Sequence, residues 1–114
     1  GPSPRSWHVC LRLPCGDRRL LLVHGGYDGN NALADAFVLD MDKNIWIDVT
    51  ACFDFVARAG HSVVLNAKSD AIMIWGGGDN DGTYFDDQHT IAIATLMGVV
   101  DANNNDNDND TDDD

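Results

Sequence analysis

The sequence contains no glutamate: all 19 of its acidic residues are aspartate, set against only seven Lys and Arg, for a net charge of −12. Glu is a helix former, whereas Asp competes with the backbone for hydrogen bonds and favours turns and caps. A chain of 114 residues without Glu, carrying 11 Gly, is therefore predicted to consist of strands and turns. The shortage of basic residues sets the chain against a phosphate backbone, so nucleic acid is excluded as an expected partner. Long apolar runs are also missing. Leu20 to Val23 is among the longest, far short of the roughly 20 residues that a membrane-spanning helix requires, so no membrane partner is expected. The three cysteines, Cys10, Cys15 and Cys52, have no C-x-x-C spacing, and no signal peptide is visible. That pattern predicts three reduced thiols in an intracellular protein of the cytoplasm or nucleus. A G-x-S-x-G nucleophile motif is lacking as well.

The charge that is present is unevenly spread. Residues 101–114 hold seven of the 19 Asp and no base, leaving twelve Asp against seven Lys and Arg in residues 1–100, a net of −5. Residues 101–114 contain only Asp, Asn, Thr and one Ala. With nothing apolar to bury, they read as a disordered acidic tail that makes no packed contacts with the body. The body repeats itself. Arg5-Ser6-Trp7-His8 recurs as Arg58-Ala59-Gly60-His61, 53 residues on. Leu20-Leu21-Leu22-Val23 ends in His24-Gly25-Gly26, and Ile72-Met73-Ile74 ends in Trp75-Gly76-Gly77, 51 residues on. The run from Asp35 to Asp40 has a looser echo from Asp87 to Ala92, 52 residues on. An ordered match of three landmarks at one period is the signature of a repeat architecture.

Each unit reads as short strands joined by turns of Gly, Asn and Asp. The first unit predicts strands near 7–13, 19–24, 36–41 and 45–49. The second predicts them near 60–65, 71–75 and 88–94, with no fourth strand and no Trp to match Trp46. The stretch from Val49 to Ala59 reads as a loop holding at most one helical turn. The boundaries are 1–57 for the first repeat, 58–100 for the incomplete second, and 101–114 for the tail.

These landmarks resemble the kelch repeat, with its R-x-x-H start, apolar strand ending in Gly-Gly, Asp-led third strand, and Trp about 20 residues after the glycines. Gly26 to Trp46 is 20 residues. Trp7 stands where the family often has Gly, and His24 where an aromatic or apolar residue is usual. The resemblance, over residues 4 to 94, implies an all-β fold of kelch-type β-propeller blades: about two four-stranded antiparallel blades, the second incomplete. Arg5, His8, Gly25, Gly26, Asp35 and Trp46, with Arg58, His61, Gly76 and Gly77, become the structural motif residues. Trp46 is expected to be buried between layers, and Trp7 and Trp75 to pack within the blades.

Propellers close a ring of roughly 4–8 blades, and two blades cannot. The chain opens at Gly1 rather than Met, and is read as a fragment or processed product. The remaining blades are expected from the same longer chain or from other chains. Alone, the outer faces of the two blades would lack neighbours, and self-association is the expected result.

Function is read from what repeats and what does not. Arg5, His8, Arg58 and His61 recur with the unit, and a residue repeated in each blade serves the blade, so no catalytic residue is assigned. Asp79, Asp81, Asp86 and Asp87 form an acidic loop, and Asp106, Asp108, Asp110 and Asp112 have alternating spacing. The tail lacks the Gly at the sixth position and the closing Glu of a calcium loop, and the loop reads as turn chemistry, so no metal and no cofactor is assigned. The loops Tyr27–Ala34 and Gly78–Phe85 occupy equivalent positions and are expected on one face. Their acidic and aromatic residues, Tyr27, Asp28, Asn30, Asn31, Asp79, Asp81, Tyr84 and Phe85, are the candidates for contact with a protein partner. The expected function is a protein–protein interaction module, a kelch scaffold or adaptor. The alternative is the non-catalytic kelch portion, or regulatory domain, of a larger enzyme such as a phosphatase or oxidase.

Overall fold

The computed structural model describes the backbone of residues 1–113 and the side chains of residues 1–103. Four strands form an antiparallel sheet in chain order: β1 (Val9–Arg12), β2 (Leu20–His24), β3 (Ala36–Asp40) and β4 (Ile45–Asp48). Three more form a second antiparallel sheet, again in chain order: β5 (Ser62–Leu65), β6 (Ala71–Trp75) and β7 (Gln88–Ala92). The two sheets have the form of consecutive propeller blades, and among the described residues no fourth strand joins the second. A single 3-10 turn at Thr50–Cys52 lies in the connection between them.

The turns work as their residues dictate. Asp40 is buried, and its carboxylate accepts hydrogen bonds from the Asp42 and Lys43 amides, 3.1 Å each. Asn44 then takes a φ of 56°, a left-handed conformation that Asn tolerates better than most residues. The chain reverses directly into β4.

One hydrophobic core lies in the seam between the blades. It joins Leu20, Leu22, Val38 and Ile47 of the first sheet to Ile72, Ile74 and Ile91 of the second. The two sheets present opposite faces to this seam. At the repeat spacing of 51, Leu20, Leu22 and His24 correspond to Ala71, Met73 and Trp75, one residue out of phase with Ile72 and Ile74. Because side chains alternate across a strand, one blade's front packs on the next blade's back. That is the head-to-tail arrangement a ring requires.

Two faces consequently stay uncovered, and two expectations about tryptophan are corrected. Trp46 is not buried: it is 39% exposed, lying with Phe37 on the back of the first blade. Its neighbour in sequence, Ile47, points into the seam and is buried. Trp75 is 40% exposed on the front of the second blade, beside Met73 and Val64. Both rings lie on sheet faces that the other sheet does not cover.

The chain does not end in strand. Helix α1 (Ile93–Asp113) begins directly after β7, so Ile93 and Ala94, expected at a strand end, open a helix. Ile93, Leu96 and Val100 are buried in the seam core, with Met97 packed against it. The spacing i, i+3, i+4, i+7 is one face of a helix. No Gly- or Asn-based turn follows β7, so nothing there turns the chain back into a fourth strand. Arg18, in the β1–β2 turn, pairs with Asp101 at 2.8 Å on the surface, a contact the tail was not expected to make. The backbone of residues 101–113 continues this helix where a disordered tail was expected; the side chains of residues 104–114, Asp106, Asp108, Asp110 and Asp112 among them, lie outside the described residues.

The two burial states separate in a stability measurement. Leu22→Ala removes a fully buried side chain and is expected to cost about 2–5 kcal/mol in denaturant unfolding. Trp46→Ala, on an open face, is expected to cost about 1 kcal/mol or less.

Candidate functional site

The repeated motif residues form one device, built twice. Arg5 reaches from the chain before β1 to the end of β2. Its guanidinium donates to the Gly25 carbonyl (3.2 Å) and forks onto both carboxylate oxygens of Asp35. Its Nε donates to the Ser3 carbonyl at 3.1 Å. Arg58 does the same one repeat on. It donates to the Gly76 carbonyl at 3.1 Å, to Asp87 at 2.7 and 2.9 Å, and through Nε to Val56 at 3.2 Å. The Arg58 guanidinium is fully buried and lies over the rings of Phe85 (4.5 Å) and Phe55 (5.0 Å). Its charge, with help from His89, holds the Asp87 carboxyl well below the usual carboxylate range. Such bidentate forks are the strong form of charged hydrogen bond.

The glycine pairs are where blades meet. A Cβ on Gly25 would stand 2.7 Å from both the Arg58 carbonyl oxygen and the His61 ring. A Cβ on Gly26 would stand 2.9 Å from the His8 Cβ. The Gly26 amide donates to the Arg58 carbonyl at 2.9 Å, tying the blades backbone to backbone. Gly77 is equally crowded by His61 of its own blade, 2.9 Å away. Gly76 differs from Gly25: only the Phe85 carbonyl, at 4.0 Å, comes near a Cβ there. Its side is the uncovered front of the second blade.

The second histidines have diverged. His8 is exposed. His61 is buried and meets His24 across the seam, His24 Nδ1 to His61 Nε2 at 2.9 Å, one ring donating and the other accepting. Phe53 stacks on His24 at 4.8 Å. The remaining nitrogens, His24 Nε2 and His61 Nδ1, are buried without a hydrogen-bond partner among the described residues. Burial pushes the His24 imidazole from 6.5 down to about 3, reinforced by His61 and Arg58. Burial likewise pushes His61 down to about 4, with Arg58 adding to it. His61 was singled out by the motif spacing, but nothing local marked His24 as its partner.

The two candidate loops emerge together on one face. Asn80 of the second accepts a hydrogen bond from the Ala32 amide of the first at 3.3 Å. Each is folded by its own aspartate. Asp28 accepts from the Asn30 and Asn31 amides (2.9 and 2.8 Å), and Asp79 from those of Asp81 and Thr83 (3.0 and 2.9 Å). Asp28 and Asp79 are thus turn-builders as well as surface charges. Asn30, Asn31, Asp81 and Tyr84 are exposed, while Phe85 is half-buried over Arg58.

Between the loops lies a cleft of about 660 Å³, walled by Trp7, Tyr27, Asp79, Tyr84 and Phe85 and floored by Gly60, Gly77 and Gly78. Tyr84 is 88% exposed and Trp7 71%. Trp7 does not pack within the blade as expected: its ring stacks on Tyr27 at 6.1 Å and otherwise faces water. Trp7 also holds a φ of 57°, the conformation that Gly60 takes at the equivalent place with a φ of 69°. A left-handed conformation costs a residue with a Cβ about 1–2 kcal/mol, and for a bulky side chain it is a true outlier. Among the described residues, no group of three or more His, Cys, Asp or Glu side chains is arranged to hold a metal ion, and no helix is long and apolar enough to cross a membrane. The three cysteines are free thiols.

Arg58→Ala is expected to destabilise the chain by roughly 3 kcal/mol, the low end for breaking a buried pair because Asp87 retains some water contact; denaturant midpoints check this. The histidine pair gives a pH dependence. Its folded pKa values lie below the unfolded value, so the unfolded chain binds more protons as pH falls. Stability is thus complete well above 6.5 and drains away as pH falls toward about 3. Melting curves from pH 7 to pH 5 are expected to show this slope, and the double variant His24→Phe/His61→Phe to flatten it.

Comparison with known proteins agrees with this architecture. A kelch motif matches residues 11–52. The chain is 37% identical over 78 residues to Adagio-like protein 1 of Oryza sativa subsp. japonica, covering 66% of this chain and 12% of that protein. It is 33% identical over 84 residues to Adagio protein 3 of Arabidopsis thaliana, covering 71% and 13%. It is 31% identical over 88 residues to Kelch domain-containing protein 1 of Homo sapiens, covering 77% and 21%. The chain therefore spans between about an eighth and a fifth of the length of these relatives. With the Arg–Gly–Asp fork built twice, Gly-Gly pairs seating the blades, and this match, the chain belongs to the kelch-repeat family.

Proposed function

We propose that the chain serves in a protein-interaction module, a kelch scaffold or adaptor that binds a partner protein through its inter-strand loops. The observation that carries this reading is the cleft between the two loops, with Trp7 and Tyr84 exposed at its edge. Large exposed aromatics set in a concave surface are what protein-binding hot spots are made of. The loops stand on blades fixed by buried charged forks, so little ordering cost remains to be met on binding. The strained Trp7 supports the same reading, because backbone strain that the fold does not need points toward function. The residues that repeat, Arg5 and Arg58 above all, are occupied in holding the blades. In this reading the remaining blades come from the same longer chain or from other chains.

The test uses the chain assembled with its remaining blades, whether these come from the same longer chain or from other chains. Residues 28–32 and 79–83 are replaced by Gly-Ser segments of equal length. Partner capture is expected to fall at least tenfold while the melting temperature moves by only a few degrees. Undiminished capture by the loop-replaced protein would sink the reading.

A further inference from the structure

We infer that the cleft between the two loops receives an arginine side chain presented by an extended segment of the partner protein. This rests on the protein-interaction reading above and deepens it.

Three features of the cleft select that side chain. The first is aromatic surface without apolar depth. Trp7 and Tyr27, stacked on each other, line the cleft with Tyr84, and Trp7 and Tyr84 are largely exposed. A planar guanidinium stacks on aromatic rings and is attracted by their negative π surface. The second is charge. Asp79 stands in the wall, and no Lys or Arg lines the cleft. The Oδ1 of Asp79 is used by the Asp81 and Thr83 amides, and among the described residues its Oδ2 accepts no hydrogen bond. Asp81 follows two residues on in the same loop and is exposed, so the charge of this loop favours a cation. The third is space at the floor. Gly60 occupies the position equivalent to Trp7, and a Cβ added there would meet nothing within 4 Å. The repeat has thus placed the largest side chain at one of two equivalent left-handed positions and none at the other. The pair forms a wall and an opening side by side, joined by the hydrogen bond from the Gly60 amide to the Trp7 carbonyl at 2.9 Å.

Trp7 is also the residue whose loss the fold tolerates. Gly is at home in its backbone conformation, so Trp7→Gly removes the wall without removing the blade.

The experiment is a titration of the 114-residue chain, 15N-labelled, with the capped peptide Gly-Ser-Gly-Arg-Gly-Ser-Gly. The same peptide with citrulline in place of Arg is the uncharged control. The Trp7 indole N–H signal and amides around Tyr84 are expected to move with the Arg peptide. The citrulline peptide is expected to bind at least tenfold more weakly. Trp7→Gly and Asp79→Asn are each expected to weaken the Arg peptide at least fivefold; Trp7→Gly should melt no lower than the parent, and Asn keeps the turn-building Oδ1. Asp17→Asn removes the same charge from the distant β1–β2 turn and is expected to change nothing. Equal binding of citrulline, unchanged binding by Trp7→Gly, equal losses for Asp17→Asn and Asp79→Asn, or shifts confined to residues 101–114 would each overturn the inference. If loop replacement abolishes partner capture while the Arg peptide fails these tests, this inference falls and the interaction reading stands.

Discussion

The structure depends on one arrangement: a buried arginine that holds the end of its own blade's second strand to the start of the third. Arg58 makes the point most fully, since its guanidinium is wholly inside the protein and carries its charge there. A charge in that position is tolerable only when paired and fully hydrogen-bonded. The fold supplies this by spending backbone: the Gly76 and Val56 carbonyls and both oxygens of Asp87 converge on a single fork. The geometry explains why the motif is spread over thirty residues. Arg must precede the first strand, Gly must end the second, and Asp must begin the third, because these are the places an antiparallel meander brings to one end of the blade.

From the fork follows the role of the glycines. The carbonyl that the arginine binds belongs to the first Gly of each pair, and the side a Cβ would occupy there is where the next blade's backbone arrives. At Gly25 that space holds Arg58 and His61; at Gly76 the corresponding space is open. The same asymmetry appears in the sheet faces. Ile47 is buried while Trp46 is exposed, and Ile74 is buried while Trp75 is exposed. Each open element is of the kind that the seam already shows closed once. The exposed tryptophans thus lie on the two faces that correspond to those the seam covers.

Much of this was legible from residue order alone, because strands, turns and the repeat period are local or periodic properties. The seven strands lie where the apolar runs and Gly, Asn and Asp turns put them, and the lone helical turn falls inside 49–59. The common face of the two loops followed from their equivalent positions in the repeat. What escaped was set by neighbours distant in the chain. Whether Trp46 is buried depends on which blade covers its face, and no periodicity encodes that. The His24–His61 contact links residues 37 apart that are not equivalent in the repeat. Helix α1 was written in the 93, 96, 97, 100 spacing, but Thr95, Gly98 and the Asp- and Asn-rich run after it all have poor helix propensity. Packing of Leu96 and Val100 into the seam outweighs that propensity, as tertiary burial commonly does.

In a repeat protein, departures from the repeat carry more information than its regularities. Positions that match, such as Arg5 and Arg58, answer a need every blade shares. Positions that differ answer a need of one place in the ring. Three differ here in physically costly ways. Trp7 takes a conformation suited to glycine and is left in water. His24 replaces the apolar or aromatic residue usual before the glycines, and buries a polar ring with an unpartnered nitrogen. Helix α1 stands where a fourth strand would have completed a blade. The histidine and the helix turn inward and are absorbed by the seam, so packing accounts for them. Trp7 turns outward, and the packing of these two blades gains only a stacking contact with Tyr27 in return for the strain. Within these two blades nothing further offsets that strain, and it is this imbalance, at the rim of the open cleft between the loops, that the proposed contact rests on.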